Sequence, residues 1–336
     1  MKFMHPLVIA EISGNHNGSL ENCLKLVNAA KMAGCDGIKL QTFKPDQITL
    51  DANTDEFKIT GGRWNGFTLF QLYTLTHTPW DWHIPIRNLC RSLGLIFFSS
   101  PFHESAVDFL VSIGVDRLKI ASPEIIHLPL IAHCSKTALP LIISTGMAGL
   151  QEISNALQIA QKYTSDITLL KCTSSYPADL ADMNLNGIKT LQREFNCKVG
   201  LSDHSISPVP AIVATSMGAV MIEKHITFDR ADGGIDSHFS STPSEIEELV
   251  KLVRQASVSL GSPLLQPVMS ESIALPHRRS VYSTLDIPKG TVVTDNMLKC
   301  IRPGFGEKPE MIQYMIGRIA LRNIKFAQPV FITDFQ

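Results

Sequence analysis

Residues 95–121 read LIFFSSPFHESAVDFLVSIGVDRLKIA. An apolar run, Leu95–Ser100, leads into a segment of helical period, Ser105–Ile113. Gly114 then offers the left-handed stop that ends many helices, and a second apolar run, Arg117–Ala121, follows. Neither run alternates with polar residues, so both are expected to be strands covered on two faces, as in a parallel sheet with crossover helices. The unit recurs along the chain. Further strand-like runs are Leu7–Ser13, Gly37–Thr42, Leu141–Thr145, Ile167–Thr173, Lys198–Ser202 and Ala219–Thr227. Helical segments are expected at Leu20–Ala33, Trp82–Leu93, Gln151–Tyr163, Asn186–Phe195 and Glu245–Leu260, with Gly34, Gly94 and Gly218 as further stops. Eight strand–helix units in roughly 260 residues is the count of a closed (β/α)8 TIM barrel. An open doubly wound sheet is the competing architecture, but no GxGxxG follows the first strand.

The whole sequence has 336 residues, 44% of them hydrophobic, and a formal net charge of −1. That length allows one large or two smaller domains, and that apolar content excludes intrinsic disorder. Near-neutral charge without basic runs argues against nucleic acid or a membrane surface as partner. No apolar run reaches the ~18 residues of a membrane span, and Met1–Pro6 is too short and polar for a signal peptide. Seven cysteines (23, 35, 90, 134, 172, 197 and 300) lie scattered without a CxxC pair, which fits reduced thiols and a cytoplasmic location.

Two intervals break the barrel rhythm. Phe43–His83 is too long for a simple strand–helix loop, and Trp64, Trp80 and Trp82 all fall in it. An insertion after the second strand lies on the C-terminal face of a barrel, so it is expected to form a lid or substrate wall. From Ser262 to His277 three prolines and little periodicity indicate a linker. Short strand-like runs follow at Ser280–Thr284, Thr291–Thr294, Lys299–Arg302, Ile319–Leu321 and Pro329–Ile332. Two pieces resemble each other, Asp286-Ile-Pro-Lys-Gly290 to Thr294-Asp295 and Asn323-Ile-Lys-Phe-Ala327 to Thr333-Asp334, suggesting a small β-rich domain of two similar halves. The expected division is 1–265 barrel, 266–277 linker and 278–336 tail domain.

In a barrel the C-terminal strand ends face the reaction. Those ends carry Glu11 with Asn15 and His16; Lys39 and Gln41; Ser99 and Ser100; Lys119, Ser122 and Glu124; Ser144; Lys171, Thr173 and Ser174; Ser202, Asp203 and His204; Glu223 and His225. A lone strand lysine is ordinarily at the surface, but Lys39, Lys119 and Lys171 at equivalent positions point to an anionic ligand, with serine hydroxyls as neutral donors. His204 and His225 end adjacent strands and can share one exchangeable divalent cation acting as a Lewis acid; a structural zinc site would need four ligands. Glu11, opposed by lysines, is expected to stay ionised and to serve as base or hydroxyl acceptor. Asp236, in the Gly-rich loop Gly233–Ser237, is placed to meet a polyol, and Arg302 in a Pro-Gly turn suits an anion, although solvated surface roles are the default for both. His16 is expected to cap its own loop.

Taken together, these motifs resemble the sialic acid synthase family: Ala10-Glu-Ile-Ser-Gly-Asn-His-Asn-Gly-Ser19, Ile38-Lys-Leu-Gln-Thr42, Phe98-Ser-Ser-Pro-Phe102, Lys119-Ile-Ala-Ser-Pro-Glu124, Ile143-Ser-Thr-Gly-Met147, Lys171-Cys-Thr-Ser-Ser-Tyr-Pro177, Gly200-Leu-Ser-Asp-His-Ser205, Glu223-Lys-His225 and Ile301-Arg-Pro-Gly-Phe-Gly306. They run in order from residue 7 to the end, and the tail resembles that family's antifreeze-like SAF (β-clip) domain. Ser13, Ser174 and the segment from Gly61-Gly-Arg63-Trp64 to His83 are most similar to its pseudaminic acid branch.

The resemblance implies a transferase that condenses phosphoenolpyruvate with an open-chain amino sugar by C–O cleavage. For the pseudaminic branch the acceptor is 2,4-diacetamido-2,4,6-trideoxy-L-altrose; the alternatives are N-acetylmannosamine or a 2,4-diacetamido-trideoxy-mannose, giving N-acetylneuraminate or legionaminate. It also implies that Lys39, Ser100 and Lys119 hold the phosphoenolpyruvate carboxylate, and that Ser122, Ser144, Ser174 and Ser202 hold its phosphate. Gln41, Tyr176, Asp236 and the lid would contact the sugar, with Glu124 a further substrate-binding residue. His204 and His225 would ligate Mn²⁺, with Mg²⁺ or Co²⁺ as alternatives. A domain-swapped homodimer would bring Arg302 to the partner's site. A metal-dependent aldolase or epimerase, and a non-catalytic sugar- or ice-binding protein, are the competing classes. Because imidazole binds metal only when neutral, activity is expected to fall on acidification through ~pH 6–7.

Overall fold

The computed structural model describes residues 5–62 and 64–336; Met1–Met4 and Arg63 of the lid motif lie outside the described residues. The chain divides into two units, Met1–Gly261 and Ser262–Gln336.

The first unit is a closed barrel of eight parallel strands in sequence order. The strands are β1 (Leu7–Glu11), β2 (Gly37–Thr42), β3 (Ile96–Pro101), β4 (Leu118–Ile120), β5 (Leu141–Ser144), β6 (Ile167–Cys172), β7 (Lys198–Asp203) and β8 (Met221–His225). β1 closes the ring, pairing Glu11 with Lys39 on one side and with His225 on the other. The expected strands are all present, most of them trimmed by a residue or two. Ser13, placed at the end of the first run, already belongs to a 3₁₀ turn, Ser13–His16, and has φ 46°.

Around the barrel run α1 (Leu20–Met32), α2 (Leu69–Thr76), α3 (His83–Ser92), α4 (Glu104–Ile113), α5 (Leu128–Lys136), α6 (Leu150–Ala160), α7 (Gly187–Phe195), α8 (Val209–Ser216) and α9 (Pro243–Leu260). Three of these were absent from the periodicity reading. α2 is a helix inside the insertion, started by a capping box in which Thr68 and Gln71 satisfy each other's backbone N–H groups. α8 (VPAIVATS) is too uniformly apolar to show a clear polar face, and its β-branched residues imitate a strand; α5 (LPLIAHCSK) is short and opens on an apolar Leu-Pro-Leu-Ile run, with His133 and Lys136 only in its last turn.

Strand alternation divides the barrel wall into two cores. Outward-facing residues such as Val8, Ile38, Phe97, Ile143 and Ile222 pack against helix residues including Leu26, Leu110, Ile153 and Val253. Inward-facing Ile9, Phe98, Ile142, Leu170 and Met221 form an apolar plug inside the barrel. Two residues further along each of those strands stand Glu11, Ser100, Ser144, Cys172 and Glu223, so the period of two carries the plug directly into a polar layer.

The second unit has its own core of Val281, Ile287, Val293, Leu298, Met315, Ala320, Ile324, Val330 and Phe335. Its one two-stranded sheet pairs Ser280–Ser283 with Leu298–Ile301 in antiparallel register. The repeated motifs meet at an antiparallel bridge: Ile287 and Ile324 exchange N–H···O bonds of 2.8 and 2.9 Å. Each motif also caps the other, since Asn323 Oδ1 accepts from the Lys289 N–H and Asp286 Oδ1 from the Phe326 N–H, both at 2.8 Å. The repeat therefore reflects a local pseudo-twofold. The other strand-like runs, at Thr291–Thr294, Ile319–Leu321 and Pro329–Ile332, contribute single bridges rather than extended strands. The first residues of this second unit, 262–279, are irregular apart from two short 3₁₀ turns, Met269–Glu271 and Leu275–His277.

Among the described residues no helix is long and apolar enough to cross a membrane.

Candidate active site

The polar layer opens into a cleft at the C-terminal end of the barrel, lined by Lys39, Gln41, Lys119, Ser122, Ser144, Cys172, Ser202, His204, His225 and Asp236, with Trp64, Tyr176 and Phe239 around them. At its floor two ammonium groups converge on one carboxylate. Lys39 Nζ lies 2.9 Å from Glu223 Oε1, and Lys119 Nζ lies 3.1 and 3.2 Å from the two Glu223 oxygens. Lys39 also pairs with Glu11 Oε2 at 3.0 Å, and all four side chains are buried. Burial opposes the charge on Glu223, yet Lys119 and Lys39 together hold its carboxyl well below the usual range. Burial likewise opposes the charge on Lys39, but Glu11 and Glu223 outweigh it and raise its pKa. Lys119, with Glu223 as its partner, is pulled down by burial.

Glu11 departs from expectation. With Lys39 shared and Lys119 engaged by Glu223, burial dominates and pushes the Glu11 carboxyl up to about 7, so the lysines do not keep it firmly ionised. It has no exposed surface and meets the cleft through Lys39 and through Gln41, whose Nε2 donates to Glu11 Oε1 (3.3 Å) and Ser13 Oγ (3.0 Å). Ser13 in turn donates to Asp236 Oδ2. Asp236 is consequently a buried residue tied to the β1 loop, and burial raises its pKa.

Lys171 and Asp203 correct the strand-end reading. On β6 it is Leu170 and Cys172 that face inward, so Lys171 turns out, where its side chain passes Gly187 at the start of α7 and its Nζ donates to the Cys172 carbonyl. Asp203 falls on the same outer face of the wall, between inward Ser202 and His204. Conversely, Cys172 was missed as a site residue, and Glu223, named at its strand end, was given no role. The signal was present: each stands two residues beyond an interior apolar residue, and Glu223 stands two before His225.

The serines make a hydroxyl cradle. Ser122 Oγ accepts from the Gly146 N–H at 3.1 Å, and the buried hydroxyls of Ser100 and Ser144 have no partner. A β-carbon at Gly146 would stand 2.3 Å from Ser174 Oγ and 2.7 Å from Ser122 Oγ, so glycine keeps the space between these two hydroxyls open. Ser202 Oγ donates to Glu223 at 3.3 Å. Glu124 is mostly buried beside this region with Oε2 unpaired, and burial pushes its carboxyl up to about 7. Arg302 lies in the second unit, exposed.

Above the floor the rings of His204 and His225 lie 5.4 Å apart, and Phe239 stands 4.8 Å from His225. His204 Nδ1 is 2.9 Å from the Thr173 carbonyl, a contact that fixes the Nδ1–H tautomer and leaves Nε2 as a free lone pair. His225 has a buried, unpaired Nδ1, and burial lowers its pKa well below the usual histidine value, keeping it neutral. Burial opposes the charge on His204 too, but its contact with Cys172 Sγ outweighs burial and raises its pKa, so Nε2 offers a lone pair only when that ring is neutral. In that form the two imidazoles fit a divalent cation that takes its remaining ligands from water or substrate. Among the described residues no cluster of three or more His, Cys, Asp and Glu forms a protein-only metal site. His16, by contrast, accepts from the Gly18 N–H at 3.1 Å and caps its loop.

The insertion reaches the cleft. Trp64 Nε1 donates to the Ile235 carbonyl (3.2 Å), and its ring lies 6.0 Å from Tyr176. Tyr176 in turn packs 4.5 Å from His204.

The NeuB family profile matches residues 26–264, and the SAF domain profile matches residues 278–336. A pseudaminic acid synthase of Campylobacter jejuni is 40% identical over 98% of this chain and 96% of its own length. The N,N'-diacetyllegionaminic acid synthase of Legionella pneumophila is 38% identical over 94% of this chain and 91% of its own. Among solved structures, an N-acetylneuraminic acid (sialic acid) synthetase from Leptospira borgpetersenii in complex with citrate superposes with a TM-score of 0.71 at 31% identity, covering 80% of this chain and 90% of that one.

Proposed function

The chain belongs to the NeuB family, and from that premise we propose that it is a pseudaminic acid synthase. This transferase joins phosphoenolpyruvate, 2,4-diacetamido-2,4,6-trideoxy-L-altrose and water to give pseudaminic acid and phosphate. One observation carries the reading: two buried ammonium groups converge at the base of a cleft whose buried Ser100 and Ser144 hydroxyls are unpaired, a donor set that suits an anionic substrate.

Lys39 and Lys119, with Ser100, bind the donor carboxylate; Ser122, Ser144, Ser174 and Ser202 receive its phosphate. Gln41, Asp236, Tyr176 and Glu124 hold the acceptor under the Trp64 side of the insertion. His204 and His225 would hold a divalent ion, Mn²⁺ first and Mg²⁺ or Co²⁺ as alternatives, which when bound polarises the acceptor aldehyde as a Lewis acid. Carbon 3 of phosphoenolpyruvate attacks the aldehyde carbon, water adds at carbon 2, and the C–O bond breaks to release phosphate. The lysines stay charged through these steps and orient the donor. Glu11 does not line the cleft, so its task is to hold Lys39 and Gln41 in place. Five buried free thiols support a cytoplasmic setting. A domain-swapped homodimer would bring the partner's Arg302 turn to this cleft.

Phosphate release from phosphoenolpyruvate with a panel of acceptors tests the reading. The diacetamido-altrose should turn over fastest; preference for N-acetylmannosamine or a diacetamido-trideoxy-mannose would move the chain to another acceptor, and indifference to phosphoenolpyruvate would move it to the aldolase or epimerase class.

Two further outcomes follow. Gly146→Ala would fill the gap between Ser122 and Ser174, and the KM for phosphoenolpyruvate should rise roughly tenfold, ~1.4 kcal/mol, with little change in melting temperature. An unchanged KM in steady-state kinetics would remove these hydroxyls from the phosphate site. The Glu11 carboxyl is neutral below its pKa of about 7 and ionised above it. Its hold on Lys39 therefore weakens as pH falls, and kcat/KM should decline from pH 8 to pH 6. Glu11→Gln, locked in the neutral form, should be slow at every pH and lose the share of that decline that Glu11 contributes, keeping only the histidine limb. A variant with the parental pH profile would contradict this role.

A further inference from the structure

The strands bearing the two histidines are zipped together on both faces of the barrel wall. Ser202-Asp203-His204 runs alongside Glu223-Lys224-His225, with Ser202 in register with Glu223 and Asp203 with Lys224. Inside, Ser202 donates to Glu223, and His204 faces His225. Outside, Lys224 Nζ donates to Asp203 Oδ2 at 2.8 Å and also to the Ser205 carbonyl. Asp203 Oδ1 accepts from the Ser205 N–H at 2.8 Å. Lys224 is 2% exposed and Asp203 1%. One buried ammonium thus grips the residues on both sides of His204, from the residue that immediately precedes His225.

A buried ion pair contributes little net stability compared with apolar residues of similar size, because desolvation cancels most of the attraction. What it supplies here is direction: it ties the turn after β7 to the end of β8, fixing how far apart the imidazoles stand. We propose that Lys224 and Asp203 are positioning residues, outside the cleft, that clamp His204 and His225 at the separation needed to share one divalent cation. The proposal rests on the metal-binding reading above.

The test is Mn²⁺ binding to the full-length protein, followed by electron paramagnetic resonance, beside thermal melting. Asp203→Leu/Lys224→Met replaces the pair with apolar groups. It is expected to melt within a few degrees of the parent while its Kd for Mn²⁺ weakens 10- to 100-fold, the range for residues that orient metal ligands. Asp203→Asn, which keeps the volume and the Ser205 contact, should lose less, and it carries the test if the double variant does not fold. Parental Mn²⁺ affinity in a folded variant would overturn the clamp while leaving the metal reading intact. Absence of Mn²⁺ binding by the parent protein would overturn both.

Discussion

Glu223→Gln is expected to lower the melting temperature by roughly 10 °C and to reduce turnover at least a hundredfold. The parent carboxylate neutralises two buried ammonium groups, with contacts of 2.9 to 3.2 Å. An amide of the same shape leaves Lys119 with no counter-charge, while Lys39 retains Glu11. Removing one partner of a buried pair costs about 3–5 kcal/mol, because the other charge stays desolvated. For a barrel of this size each kcal/mol moves the midpoint by about 2–4 °C. Lys119 would respond by giving up its proton, which removes the charge that should hold the donor carboxylate. Phosphoenolpyruvate brings a carboxylate of its own, so adding it should restore more of the lost melting temperature than it adds to the parent. Differential scanning calorimetry with and without phosphoenolpyruvate measures both effects. A variant that melts like the parent would mean that Glu223 does not organise the floor.

His225→Ala should be the most damaging change to catalysis and one of the mildest to the fold. The His225 side chain makes no ion pair, its Nδ1 is unpaired, and its neighbours are the rings of His204 and Phe239. Nothing is left buried and charged when it is removed. If it holds half of the protein's grip on the divalent ion, kcat/KM should fall by about 10³-fold, equivalent to ~4 kcal/mol of transition-state stabilisation. Mn²⁺ binding should weaken in parallel, and the melting temperature should move by only a few degrees. His204→Ala should behave similarly. Initial rates over a Mn²⁺ titration separate the possibilities. Activity above a tenth of the parent's, insensitive to chelator, would remove the histidines from the chemistry.

The fold was legible because each strand is a short continuous apolar run and several helices end at a glycine. What blurred was local. The apolar helix α8 carries no polar face to betray its period, α5 confines its basic residues to the last turn, and α2 is hidden in an insertion. The site was legible to the same degree, for the same reason. Lys39, Lys119, Ser202, His204 and His225 were found because strand ends face the mouth of a barrel. Lys171 and Asp203 were misplaced because a strand end was taken as a whole, although alternate residues face opposite ways. Counting in twos from Leu170 and Met221 sends Lys171 outward and brings Cys172 and Glu223 in. The protonation of Glu11 was beyond any motif, since it depends on which of two carboxylates the lysines favour, and that is set by distances across the barrel.

The most direct test of the account is the fate of oxygen in phosphoenolpyruvate labelled with ¹⁸O at the bridge between carbon 2 and phosphorus. The protein would be incubated with this donor, Mn²⁺ and 2,4-diacetamido-2,4,6-trideoxy-L-altrose, and the products weighed by mass spectrometry. The account predicts an unlabelled nine-carbon 2-keto acid and phosphate that retains the ¹⁸O. Unlabelled phosphate, or no nine-carbon keto acid from this sugar, would contradict it.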